Sequence, residues 1–173
     1  GAALNPILKV KLSHSNTVLR ALFDNCSQTT FLLESVARKL NLSGQRISFV
    51  LITTDGSRTQ KTGFLYDISL RDVFGNAHAI QAIGMEQISS NYAGAKIRNV
   101  KSVLRNNVRC TMLTDDKLDR DGGEIELLVG TDVASIHPEK VANIGQLIVM
   151  KSIFGSGWTL MGHNAKHVKM NNA

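Results

Sequence analysis

Along most of the chain, apolar and polar positions alternate in short runs, the period of strands with one buried face. In PILKVKL, Leu8, Val10 and Leu12 fall on one face and Ile7, Lys9 and Lys11 on the other; SHSN then turns the chain into TVLRALFD, which predicts a hairpin. After Thr30 the period changes. Phe31, Leu32, Val36 and Leu40 recur at helical spacing, with Ser27 or Thr29 as an N-cap, and predict a short helix over Glu34 to Leu40. ISFVLITT and SRTQKTGFLYDISL flank Asp55-Gly56, a strong hairpin signal, and NAHAIQAIGM follows the Phe74-Gly75-Asn76 turn as one more strand. IELLVGTD reads as a buried strand ended by Gly130, after which Val133 to Ile136 start a helical stretch that His137-Pro138 stops. GQLIVMKSIFGSGWTLMGHN completes the pattern with two strands around Gly155-Ser156-Gly157.

The expected fold is therefore all-β, with one or two short helices. At 173 residues and 43% hydrophobic content the chain fits a single domain with a sizeable core, assigned to residues 1–163. Residues 86–123 are polar and rich in Asn, Arg and Asp; they are expected to form an irregular surface excursion, with a helix turn or two between Ser102 and Arg109. Residues 164–173 are expected to be a flexible tail.

The formal charge of +6 would suit an anionic partner, but 20 Lys and Arg stand against 14 Asp and Glu without a basic run, which argues against nucleic acid. Two cysteines are too few for a disulfide framework and are not spaced as metal ligands. With no long apolar segment at its start, the chain is expected in a reducing interior, the cytoplasm. No run approaches the roughly 20 apolar residues of a membrane span, so no membrane partner is expected.

Candidate chemistry centres on VLRALFDNCSQTTFL, where an apolar strand runs into Asp24. A carboxylate at such a mouth is costly to bury without partners. Taken alone, it suits a helix cap or an Asx-turn. The order of elements around it adds a second reading. A hydrophobic strand into Asp-x-x-Ser, a helix, the Gly-tipped hairpin ITTDGSRTQKTG and a later IELLVGTD together resemble the retropepsin-like aspartic peptidases. With GMEQISSNYAGAKI, VRCTMLTDDKL and the ending SIFGSGWTLMG, the chain most resembles the peptidase domain of Pao/BEL-type retrotransposon polyproteins, over about Leu8 to Gly162.

The resemblance implies an acid-protease barrel that supplies half an active site per subunit, in a homodimer acting on an extended peptide or polyprotein substrate. Asp24 would be the catalytic acid, paired with Asp24 of a second copy, with Asn25, Cys26, Ser27 and Gln28 supporting it in the active-site loop. Thr53, Thr54, Asp55, Gly56, Ser57 and Arg58 would form the substrate-binding flap, and Leu128, Val129 and Gly130 the strand behind the site. No metal or other cofactor is required, since two adjacent carboxylates that cannot both ionise share a proton and activate a water.

Asn25 and Cys26 depart from the family's Ser or Thr followed by Gly; they open an alternative in which a weak or inactive domain serves dimerisation or peptide binding. Ser27 and Gln28 fit the Pao-type sequence. Among other candidates, Thr54-Asp55-Gly56 has the wrong order for a catalytic signature and reads as turn chemistry. Asp132 reads as a helix cap. Cys26 as a nucleophile lacks a linked His base. His163 and His167, four apart without an intervening Glu, read as solvated tail residues, and Phe154 and Trp158 as core or interface.

Overall fold

The computed structural model describes residues 3–171. It is β-rich. The strands are β1 (Ile7–Leu12), β2 (Val18–Phe23), β3 (Phe31–Leu33), β4 (Gln45–Ile52), β5 (Arg58–Arg71), β6 (Ala77–Met85), β7 (Ala95–Ile97), β8 (Leu127–Val129), β9 (Glu139–Ile144), β10 (Leu147–Lys151), β11 (Trp158–Gly162) and β12 (Val168–Met170). The α-helices are short: α1 (Glu34–Lys39) and α2 (Val100–Val103).

The β1–β2 hairpin forms as its alternation predicts, with Lys9 opposite Arg20 and Val10 opposite Leu19. Seven strands make one sheet in the order β1-β2-β8-β3-β6-β5-β4, and Lys11 and Leu12 of β1 also pair with Arg71 and Leu70 of β5. That last pairing closes the sheet on itself and leaves β4 as an appended edge. Leu8, Val10, Leu19, Ala21, Phe23, Ile68, Leu70 and Leu127 point inward from alternating positions and fill the first core with Leu32, Val36 and Phe154. The β5–β6 turn is tied by buried Asp72, which accepts from the N–H groups of Phe74 and Asn76 and contacts the His78 ring at 2.8 Å.

Helix α1 starts at Glu34 as expected, but Phe31 to Leu33 form strand β3 instead of its first turn. The N-cap is Leu33, with no capping side chain, so Ser27 and Thr29 do not cap. Pairing decides the conformation here: Phe31 and Leu32 pair antiparallel with β8, and Phe31 to Leu33 pair parallel with β6.

Residues 86–123 are not a surface excursion. Ala95, Ile97, Val100, Leu104, Cys110, Leu113 and Leu118 are buried in a second core, against Leu147, Val149, Trp158 and Leu160 from the β9-β10-β11 sheet. The polar positions between them bond back to the chain, as where Asp115 accepts from the N–H groups of Asn99, Val100 and Lys101. The segment from 164 is likewise structured over its described residues. Val168, Lys169 and Met170 pair with Ile97, Lys96 and Ala95, and the buried His167 contacts the Arg98 carbonyl at 3.0 Å through Nδ1, so this histidine is not solvated. The last residues of the expected tail, 172–173, lie outside the described residues. Among the described residues, no helix is long and apolar enough to cross a membrane.

Candidate active site

Asp24 follows the last residue of β2, and its position is fixed by the strand beside it. β8 pairs parallel with β2, Phe23 opposite Val129, and the Asp24 N–H continues that ladder to the Val129 carbonyl at 2.9 Å. On its other side β8 pairs with β3. The loop from Asp24 to Thr30 therefore joins two strands that straddle β8, and the chain after β8 passes directly beneath it.

Gly130 is what makes that passage close. A Cβ there would sit 2.5 Å from the Thr29 carbonyl oxygen and 2.9 Å from that of Ser27. Its φ of −88° is open to any residue, so space and not backbone conformation demands glycine. Buried Thr30 clamps the crossing: its hydroxyl accepts from the Gly130 N–H at 3.1 Å and donates to Asp132 Oδ1 at 2.7 Å, while the Thr131 N–H donates to the Ser27 carbonyl at 2.8 Å. Asp132 is thus a partner for Thr30, whose N–H it also accepts at 3.3 Å, and caps no helix with its side chain. Nε2 of His137 meets the Gly130 carbonyl at 2.7 Å, and the same ring stands edge-on to Phe23. Thr30 and His137 carry no local signature of these roles, because their partners come from distant segments or from backbone.

Within the loop, Asp24 is half-buried, and Oδ1 accepts from the Cys26 N–H at 2.9 Å in an Asx-turn. Asn25, Cys26 and Gln28 are exposed, and the Cys26 thiol lies 3.5 Å from Asn25 Oδ1. Ser27 is half-buried, donates to the Thr29 carbonyl at 2.7 Å and so braces the loop. Outside glycine, only Asn41 and Asn99 among the described residues have positive φ, so the backbone at Cys26 does not require glycine. Among the described residues no group of three or more His, Cys, Asp and Glu is placed to hold a metal.

Residues 45–65 form the expected hairpin, β4 against β5 from Gln45 opposite Leu65 to Ile52 opposite Arg58. At its tip Thr53, Thr54, Asp55, Gly56 and Ser57 close a turn in which the Gly56 N–H donates to the Thr53 carbonyl at 2.9 Å and Gly56 takes φ +83°. Asp55 Oδ1 accepts from the Thr53 hydroxyl and, at 2.9 Å, from the Ser57 N–H; these bonds hold its carboxyl down at about 2. Asp55 is thus turn chemistry. The hairpin's base is anchored: the Tyr66 ring packs where a Cβ on Gly44 or Gly84 would stand, and its hydroxyl donates to Glu34 Oε2 at 2.7 Å. Burial, then that carboxylate, pushes the Tyr66 phenol up to about 12. Beyond the base the hairpin leaves Val50, Ile52 and Phe64 exposed. No hydrogen bond among the described residues joins the tip to the Asp24 loop. One chain thus brings together Asp24, its loop and Leu128 to Gly130.

In comparison with known proteins, no family model, no curated protein and no solved structure matches this chain.

Proposed function

We propose that the chain is one half of a retropepsin-type aspartic endopeptidase, with Asp24 and Asp24 of a second copy as the acid pair. The observation that carries this reading is the crossing at Gly130: β8 lies between β2 and β3 and supports, from behind, a loop whose half-buried carboxylate stands beside exposed residues. A fixed backbone under a catalytic acid supplies preorganisation. The exposed arm of β4 and β5, with apolar Val50, Ile52 and Phe64, suits an extended peptide held by main-chain bonds and side-chain contacts.

In this mechanism two carboxylates close together hold one proton between them. The ionised member takes a proton from water as the water attacks the scissile carbonyl, and the protonated member donates toward the carbonyl oxygen; proton transfer to the amine then releases the products. Incubating the purified chain with a diverse peptide library at acidic and neutral pH tests the reading. Cleavage that disappears in Asp24→Asn, with folding unchanged, is the expected result; cleavage that survives the substitution removes Asp24 from the chemistry.

Asn25 and Cys26 favour a second reading, a domain that binds peptide or dimerises with little hydrolysis. Both side chains are exposed in the loop beside the acid. Peptide binding without cleavage by wild-type chain selects this alternative.

A further inference from the structure

Far from the Asp24 loop in function, a cavity of 330 Å³ lies at the seam between the two cores. One wall is Ile7, Leu8, Lys9 and Arg20 of the β1–β2 hairpin; the other comes from Lys96, Leu118 to Asp121 and Trp158. Its size is that of a small-molecule site.

The charges lining it are unequal. Lys9 pairs with Asp121 at 2.5 Å and Lys96 with Asp119 at 3.8 Å. The guanidinium groups of Arg20 and Arg120 have no carboxylate within 4.0 Å among the described residues, although the Arg20 backbone N–H donates to Glu126 Oε1 at 2.9 Å. Arg20 donates to the Glu124 carbonyl at 3.2 Å. Arg120 donates to the Asn5 carbonyl, to Thr159 Oγ1 at 3.3 Å and to the Leu160 carbonyl at 3.2 Å, all neutral acceptors, while its covered Nε has none. Burial pushes this guanidinium down to about 10, which leaves it charged at neutral pH and poorly compensated. Ile7, Leu8, Leu118 and Trp158 add an apolar surface beside these two guanidinium groups, neither of which is in direct ion-pair contact among the described residues.

We propose that this seam is a binding site for a small organic anion, a phosphate or carboxylate head on a compact apolar body. The head takes the forked donors that Arg20 keeps beyond its bond to the Glu124 carbonyl, and the buried charge of Arg120, whose Nη groups are already bonded to the chain, adds attraction from behind. The body packs on Trp158 and Leu118. Because the walls belong to both cores, such a ligand ties them together, and binding to the folded form alone raises thermal stability.

Trp158 is the chain's single tryptophan, so its fluorescence, excited at the red edge, reports on the cavity directly. Titration with phenyl phosphate is expected to give a saturable change and a rise in melting temperature, with benzoate testing the carboxylate head and inorganic phosphate testing the head alone. Arg20→Gln is expected to weaken phenyl phosphate binding at least about tenfold, within the range for a lost charge-assisted contact, whereas Asp24→Asn and Lys61→Gln leave it unchanged. Arg120→Lys adds a second test if it folds; Arg20→Gln suffices if it does not. No saturable signal with any of the three probes, or equal affinity in wild type and Arg20→Gln, overturns the proposal.

Discussion

Thr30 shows how much of the candidate site rests on one small hydroxyl. It is buried, and it satisfies the Gly130 N–H while donating to Asp132. Thr30→Val keeps the shape and removes both bonds, leaving a buried donor unpaired at a cost of about 1–3 kcal/mol. Chemical denaturation should show that loss, and Thr30→Ser should recover most of it. At Cys26 the issue is chemistry instead of stability. Its side chain is exposed and its backbone takes no glycine-only conformation, so one chain accommodates it without strain. Under the proposed mechanism, any penalty arises against the second copy. Asn25→Ser with Cys26→Gly is therefore expected to raise peptide cleavage by ~10-fold to 1,000-fold, the scale of one preorganised contact to a reacting centre, with little change in melting temperature. An unchanged rate would make Asn25 and Cys26 a competent support.

Elements with a clear period were readable from the residues alone. The β1–β2 and β4–β5 hairpins, β6, and the pair β10 and β11 all sit where alternation and Gly-containing turns place them. Those built by distant pairing were not: β3 is three residues long and owes its conformation to β6 and β8, and the elements of 95–118 are too short for any period to show. Asp24 was legible as an acid at a strand end. Its fixing by Thr30 and Gly130 was not, because those contacts join residues about a hundred positions apart. The hairpin tip, legible in full, carries its own prediction. Gly56 at φ +83° cannot become valine without strain, so Gly56→Val should lower peptide turnover or affinity while the melting temperature changes little. The tip should also resist acid. The Asp55 carboxyl is depressed to about 2 from 3.8, so its ordering contribution is complete above 3.8 and is lost as pH falls toward about 2; an NMR titration of Asp55 reads this directly.

At the scale of the whole molecule, the second core extends the folded unit beyond residue 163. β12 completes a two-stranded sheet with β7, and His167 and Val168 are buried. Ending the chain after His163 should therefore destabilise it, with Val168 alone contributing about 1.5–3 kcal/mol of apolar burial, and should expose surface that binds a hydrophobic dye. A truncated chain as stable as the full one would make β12 dispensable. The larger question at this scale is what completes the site. One chain supplies one acid at the Gly130 crossing, and the proposed chemistry needs two that share a proton. If the second comes from an identical copy, activity follows the concentration of symmetric pairs, since a two-fold interface places the same loop on both sides. Cleavage per chain should then fall on dilution through the dimer dissociation range measured by sedimentation. Mixing offers a sharper test, because an Asp24→Asn chain still folds and pairs but contributes no acid. In an equal mixture, random pairing leaves only about half of the wild-type chains with a wild-type partner, so activity per wild-type chain should drop to about half at constant total protein. Activity that is untouched by both dilution and mixing would mean that a single chain cleaves with one carboxylate, and the paired-acid mechanism would be wrong.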